Sequence, residues 1–387
     1  MKKASGSTNH GCTAVCHAID PLARCEGGHE LTLLNRGDDY VPAMLEAMEM
    51  SRASIALELY RVDPGALWDR FSAALIRAAA RGVRVRLYAD SFGSRRMREG
   101  NWSAVRRAGV EPRLTPTVLR SLLQTGNSRR DHRKLLIVDD VLAFTGGMSV
   151  DDTFLNPRNE PTWRETMVAV RGPLVAHARR AFEQSWKGEN GDGCSDAVRG
   201  VSRAASPSRA RLILSSPGIP RGESLFGNAI AAAKKRVWIT NPFVVPTETI
   251  DLAMRRAALR GVDIRLLVPG TLHRFPWVRD AMRGYYQGYF EAGVRVYEYS
   301  SSMLHAKTIS IDDEWAAVGS FNLDARSLLF NDELAVAACD VRFAAAVADA
   351  FEKDCVNAVE IDKETWATRP LLTKCRERIA ARSRRYL

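Results

Sequence analysis

The stretch MLHAKTISIDD, Met303 to Asp313, has a counterpart earlier in the chain, and that duplication limits the possible folds more than any other feature. Asp131 to Ser149 reads DHRKLLIVDDVLAFTGGMS and carries His132, Lys134, Asp139 and Gly146 in that order. His305, Lys307, Asp312 and Gly319 follow those four at a constant spacing of 173 residues. Strand composition does not produce matched polar positions at one fixed shift, whereas an internal repeat does. From Leu304 to Ile311 apolar and polar residues alternate, which predicts a strand with Ile309 and Ile311 on one face. His305 and Lys307, two residues apart, then project together from one face of that strand.

The repeat extends upstream. AALIRAAARGVRVRLYAD (Ala73 to Asp90) and LAMRRAALRGVDIRLLVP (Leu252 to Pro269) each read as a helix, a glycine (Gly82, Gly261) past its end, and a buried strand. SIALELY (Ser54 to Tyr60) and VWITNPF (Val237 to Phe243) are strand candidates before them. Alternating helices and apolar strands imply an α/β chain of two halves, each a mixed β-sheet flanked by helices on both faces. The expected divisions are a flexible leader over 1–30, a first half over 31–187, a Gly/Ser/Asp-rich linker over 188–209, a second half over 210–357 and a basic tail over 358–387.

One His-x-Lys supplies a base or nucleophile beside a fixed positive charge; two copies facing each other suit an anionic phosphodiester. The lysines and the glycine-rich turns would hold the non-bridging oxygens, where charge builds up in the transition state. One histidine would attack phosphorus and form a phosphohistidine, splitting one displacement into two. The other would protonate the leaving alcohol and then deprotonate the incoming one, worth roughly 10²–10⁴-fold in rate. An unperturbed pKa of about 6.5 suits histidine to both tasks. No metal or other cofactor is expected if the lysines supply the charge.

HRKLLIVDD…GGMS and HAKTISIDD…GSFN resemble the paired His-x-Lys-x₄-Asp motifs of the phospholipase D superfamily. Within it the chain is similar to bacterial cardiolipin synthases, of the peripheral kind, from Asn35 to Pro370. LELY, WRETMVAVRGP, GVDIRLLVPG, GSFNLDARSLLFNDELAV and ETWATRPLL carry that closer likeness. The resemblance implies two pseudo-twofold-related halves with both imidazoles on one phosphorus. It implies His132 as nucleophile and His305 as general acid/base, an order that the residues themselves do not fix. Lys134 and Lys307 would bind phosphate oxygens, Ser320 and Asn322 would donate from the second turn, and Glu165 and Glu333 would orient the histidines. Asp139 and Asp312 complete the catalytic motif, although they fall away from the His/Lys pair and suit a strand-turn role better. Ser149 stands where Asn322 has its counterpart, which puts that turn's contact to phosphate in doubt.

The formal charge of +11 favours an anionic partner. Arg369 to Leu387 holds seven Lys/Arg against one Glu, with Leu372, Cys375, Ile379 and Tyr386 near one helical face. That predicts a basic amphipathic helix on anionic lipid, or else a solvated tail. A second basic region, Arg95 to Lys134, holds eleven Lys/Arg and leads into the first motif, where it would steer a phosphate inward. In FPWVRDAMRGYYQGYF (Phe275 to Phe290) the apolar residues at helical spacing are either core or an apolar wall for acyl chains. No apolar run long enough to span a membrane occurs, and the N-terminus lacks the apolar core of a signal peptide. Seven cysteines, an odd number, predict reduced thiols and the cytoplasmic side of the membrane. Cys12, Cys16, Cys25 and His29, with His10 and His17, are ligand types for zinc without a tight Cys-x₂-Cys knuckle.

These readings give a phosphatidyl transferase that uses phosphatidylglycerol as acceptor and meets an anionic phospholipid surface. Nucleic acid and an obligatory protein partner are not expected, and a monomer suffices because both motifs lie in one chain. The competing reading is a phosphodiesterase of the same superfamily, hydrolysing phospholipid or nucleic acid with water as acceptor. A membrane-binding scaffold without activity is the third.

Overall fold

The computed structural model describes residues 26–117, 129–155, 162–188 and 208–382. In the first half β1 (Glu26–Leu34) and α1 (Gly37–Glu49) precede β2 (Ser54–Leu59), α2 (Ala66–Ala80) and β3 (Arg84–Ala89). Next come α3 (Glu99–Arg107), β4 (Glu111–Leu114), β5 (Leu135–Val138), β6 (Leu142–Gly146), β7 (Met167–Arg171) and α4 (Leu174–Lys187). The second half opens with β8 (Ser208–Ser215), α5 (Arg221–Ala232), β9 (Arg236–Thr240), β10 (Val244–Val245), α6 (Glu248–Leu259) and β11 (Asp263–Pro269). It continues through α7 (Pro276–Ala292), β12 (Arg295–Tyr299), β13 (Thr308–Ile311), β14 (Trp315–Gly319), β15 (Leu323–Asp324), α8 (Ala325–Leu329), β16 (Glu333–Cys339) and α9 (Val341–Cys355). β17 (Ala358–Glu360), α10 (Lys363–Ala367) and α11 (Leu371–Arg382) follow.

The two sheets fuse. Their strands form one 15-stranded sheet in the order β17-β12-β11-β9-β13-β14-β16-β8-β1-β7-β6-β5-β2-β3-β4. Read outward from the β8–β1 junction, the two halves repeat the same series. In each, three parallel strands (β2–β3–β4 and β9–β11–β12) join an antiparallel set that carries the motif. The junction strands are β1 and β8, paired antiparallel through Glu26↔Ala210 and His29↔Ser208. β1 therefore takes up residues 26–30, which the sequence pattern assigns to the leader, and β8 takes up 208–209 of the expected linker. Gly27 and Gly28 give that stretch a loop-like composition, and pairing to β7 and β8 overrides it.

Helices lie on both faces, with different cores beneath them. α1, α2 and α3 cover a core of the first half around Phe71, Trp68 and Leu57. α5, α6 and α7 cover the equivalent core of the second half. On the opposite face α4 and α9 share one core, in which Phe182 and Val175 meet strand residues of both halves, such as Val168 and Val336. Fully burying side chains of this size is worth roughly 1.5–3 kcal/mol each, so this shared layer ties the halves into one body.

The aromatic stretch on α7 proves to be core: Met282, Tyr286 and Tyr289 are buried. Of that stretch, Phe275 and Val278 reach the central cleft. Cys355 and Cys375 are free thiols. Cys339 is disulfide-bonded, which departs from the expected set of reduced thiols; a cysteine count does not show which residues the fold brings together. His29 is a buried residue of β1 whose Nδ1 accepts a hydrogen bond from Leu174 N at 3.3 Å. Cys12, Cys16, Cys25, His10 and His17 lie outside the described residues. Among the described residues no cluster of His, Cys, Asp and Glu is arranged to hold a metal ion, and no helix is long and apolar enough to cross a membrane.

Candidate active site

His132–Lys134 and His305–Lys307 are not strand residues. Each runs extended just before its strand, β5 or β13, and Leu304 is tied down by a single bridge to Arg164. Hydrogen bonds across the seam account for this. His132 N donates to Asp332 O at 2.9 Å and Asp332 N to Arg130 O at 2.8 Å. In the other half His305 N donates to Arg164 O at 2.7 Å and Arg164 N to Met303 O at 2.9 Å. Each motif is thus paired with the segment of the opposite half that leads into Glu333 or Glu165.

The pairing crosses the carboxylates. Both oxygens of Glu333 lie 2.9 Å from His132 Nδ1, and Glu165 Oε2 lies 2.5 Å from His305 Nδ1. A carboxylate accepting from Nδ1–H leaves Nε2 with a lone pair. Both rings line one cleft, into which Lys134, Ser149 and Asn322 also open. Tyr60 backs His132 edge-on at 4.8 Å between ring centres, and Trp163 and Phe154 back His305 at 5.1 and 5.9 Å.

Burial dominates the electrostatics. It lowers the pKa of His132 well below the usual value, with Lys134 and Lys307 adding to the effect. Burial, again with Lys307, brings His305 down to about 3. Lys134 falls to about 7 because its ammonium is desolvated. Burial lowers Lys307 too, against the pull of Glu165. Glu333 is pushed up to about 8 by burial, which outweighs Lys134 and its hydroxyl donors. Burial also raises Glu165, but Lys307 and His305 outweigh it and leave its pKa below the usual value. Both imidazoles are therefore neutral at pH 7, as a nucleophile requires.

Three residues assigned from the sequence act elsewhere. Asp139 accepts from the amides of Arg52, Ala53 and Ser54 at 2.7–2.9 Å, and Asp312 from those of Lys234, Lys235 and Arg236 at 2.7–2.9 Å. Each thereby clamps the end of its motif strand to the start of β2 or β9. Asp139 and Asp140, like Asp312 and Asp313, have positive φ in tight hairpin turns, a conformation that aspartate tolerates. Neither carboxylate reaches the cleft, so both leave the catalytic set. Ser320 is fully buried and donates to Glu333 Oε2 at 2.5 Å, so it supports that carboxylate and does not touch substrate.

Ser327 and Asn331, which the motif spacing did not single out, complete the Glu333 support at 2.5 and 3.5 Å. Ser327 Oγ also accepts from Asn322 N at 2.9 Å, holding the turn that presents Asn322 to the cleft. Asn322 Oδ1 is buried without a protein partner among the described residues. Tyr60, Phe154 and Trp163 were likewise missed; aromatic support of an imidazole leaves no fixed spacing in a sequence.

A cleft built from both halves, with two neutral imidazoles, Lys134 in its wall, Lys307 buried behind His305 against Glu165, and crosswise carboxylates, defines the class: a two-motif phosphoryl-transfer site of the phospholipase D type. The model of the family "Cardiolipin synthase, PLD-like domain" matches residues 44–186 and 227–355. Cardiolipin synthase A of Pseudomonas fluorescens (strain SBW25) is 31% identical over 377 residues, covering 94% of this chain and 77% of that protein. Cardiolipin synthase A of Yersinia pestis bv. Antiqua (strain Angola) is 31% identical over 363 residues, 91% of this chain and 74% of the other. The chain belongs to this cardiolipin synthase family, which makes it a phospholipase D-superfamily transferase. Its fold is shared by phosphatidylserine synthase of Haemophilus influenzae Rd KW20, at a TM-score of 0.69 and 12% identity over 91% of this chain and 92% of that one. Polyphosphate kinase of Porphyromonas gingivalis shares it at a TM-score of 0.58 and 15% identity, over 92% of this chain and 54% of the other.

Proposed function

We propose that the protein moves a phosphatidyl group from one phospholipid to a hydroxyl of phosphatidylglycerol, through a phosphohistidine on His132. The observation that carries this reading is the crosswise pairing His132–Glu333 and His305–Glu165 over a single cleft. His132 Nε2 attacks phosphorus, the bond to the head-group alcohol breaks, and a proton from His305 goes to that oxygen. The acceptor hydroxyl then gives its proton to His305 and displaces Nε2 from phosphorus, which restores both rings. His305, neutral in the free protein, takes up the proton it will donate from solvent as the phosphodiester binds, because the anion offsets the charge of Lys134 and Lys307.

The distribution of apolar surface supports a phospholipid membrane as the place of work. α11 docks on α7 through Ala380 and Glu377, while Leu371, Leu372 and Ile379 are 78%, 85% and 57% exposed beside Arg376, Arg378 and Arg382. Phe275 on one side of the cleft and Phe92 on the other are also exposed, as are Leu272 and Trp277 close to Phe275 in the chain. Apolar groups ringed by arginine suit the interface of an anionic bilayer. Peripheral attachment needs no membrane-spanning helix, and among the described residues no helix is long and apolar enough to be one.

Purified protein supplied with phosphatidylglycerol vesicles tests the reading. Diphosphatidylglycerol with free glycerol as products supports transfer. Phosphatidic acid alone would establish the hydrolytic reading instead.

A further inference from the structure

The cleft carries more positive charge than one reacting phosphate needs, and the arginines there are not equivalent. Arg61 and Arg96 are committed to Asp63, the latter at 3.2 Å, and Arg61 also meets Asp151 at 3.6 Å. Arg130 and Arg95 are different. Their guanidinium groups lie over the ring of Phe92, at 4.3 and 4.6 Å from its centre, and among the described residues their side chains hydrogen-bond only to backbone carbonyls, of Arg129 at 3.3 Å and Phe92 at 3.1 Å. Among the described residues neither has a carboxylate within ion-pair distance. Asp90, which faces Arg130 electrostatically, is occupied by the amides of Phe92, Gly93 and Asp131 at 2.8–3.1 Å.

Arg130 is nonetheless buried, at 7% exposure. A buried guanidinium without a carboxylate is costly unless a ligand supplies the anion. Arg326 of α8 brings a third guanidinium to the same cleft from the other half, and its charge adds to burial in lowering the Arg130 pKa. All three act on Tyr60, whose ring touches His132. All three arginines line the same cleft as His132.

We propose that Arg95, Arg130 and Arg326 form a second phosphate site, which takes the non-reacting phosphodiester of the acceptor lipid. It rests on the transfer reading above and specifies what that reading needs. The two phosphates of diphosphatidylglycerol are joined by a three-carbon glycerol bridge, so the acceptor's own phosphate must sit beside the reacting one. Water and simple alcohols carry no such phosphate and gain nothing from the site. The site thus selects a lipid acceptor where the nucleophilic atom alone cannot.

The test uses vesicles of phosphatidylglycerol containing ethanol, with diphosphatidylglycerol and phosphatidylethanol measured together. Arg130→Gln and Arg326→Gln should each lower the ratio of the first product to the second at least ten-fold, through KM for the lipid acceptor. Arg130→Lys should restore part of it. Arg95→Gln, on the exposed side of Phe92, provides a variant that does not disturb the interior and should shift the ratio the same way. An equal fall in both products, or an unchanged ratio, would overturn the site while leaving transfer intact. A wild-type protein that makes phosphatidylethanol but no diphosphatidylglycerol would overturn the transfer reading, and the site with it.

Discussion

The two histidine–carboxylate pairs occupy equivalent places in the repeat and are held in different ways. Glu333 sits in a cage of neutral donors, Ser320, Ser327 and Asn331, and meets the ring of His132 through both oxygens. At the positions 173 residues earlier the first half has Gly147 and Phe154 in place of Ser320 and Ser327. Glu165 packs directly against Gly147, where a Cβ would lie 2.2 Å from its Oε2. It is held instead by the amide of Thr166 at 2.8 Å and the ammonium of Lys307 at 3.3 Å.

This difference bears on what each ring can do. Lys307 Nζ lies 2.8 Å from His305 Nδ1, the same atom that faces Glu165. A lysine donating to Nδ1 favours the tautomer with a proton on Nε2, whereas Glu165 favours the other. His305 is thereby poised between acid and base. Nδ1 of His132 faces Glu333, which in its ionised form accepts from Nδ1–H and leaves the lone pair on Nε2. The two copies of the repeat thus hold equivalent imidazoles with different supporting groups, a difference that suits the proposed roles of nucleophile and proton carrier.

Substitution of the rings themselves should have the largest effect. His132→Ala and His305→Ala are each expected to lower turnover at least about 10³-fold, measured as lipid product per enzyme. Near-full activity in either variant would break the shared site. The carboxylates sharpen the comparison. Glu165→Gln leaves Lys307 buried without its partner and should cost about 100-fold in kcat, against about 10-fold for Glu333→Gln, whose carboxylate is already easily protonated. Equal losses would remove the asymmetry.

Smaller effects should appear in stability. Gly147→Ser forces a side chain against Glu165 and should cost about 1–3 kcal/mol by denaturant unfolding; Ser320→Gly, the reverse exchange, removes one support of Glu333 and should cost about 1 kcal/mol. Stability should also depend on pH. His305 resists protonation until about pH 3, while the unfolded chain takes up that proton near 6.5. Its contribution is therefore lost as pH falls from about 6.5 to about 3, by at most about 1.4 kcal/mol per pH unit. Glu333 runs the other way: the native chain holds its proton up to about pH 8, so its contribution is lost as pH rises from about 4.3 to about 8. Melting temperatures of His305→Asn and Glu333→Gln across that range should flatten the acid and alkaline sides respectively.

Much of this was legible in the sequence because the repeat preserves polar residues at a constant shift. His132, Lys134, His305 and Lys307 follow from it directly, and the helix–glycine–strand units around Gly82 and Gly261 gave the parallel strands. What escaped were relations across the seam. Neither the spacing of Glu165 nor that of Glu333 shows that each serves the histidine of the other half. Strands β1 and β8 were missed as well, although the alternation in HELTLL carries a strand signal behind its two glycines. Ser320 looked like a ligand because it belongs to the glycine turn, and only its orientation toward Glu333 shows otherwise.

The central claim is that imidazoles from different halves act in sequence on one phosphorus. It is tested most directly by mixing the protein with a donor lipid labelled at phosphorus, quenching with denaturant and mapping the label. The account predicts a phosphoramidate on His132, accumulating in His305→Gln when the donor has a leaving group that needs no proton, and absent in His132→Gln. Label on His305, or label that survives in His132→Gln, would contradict it.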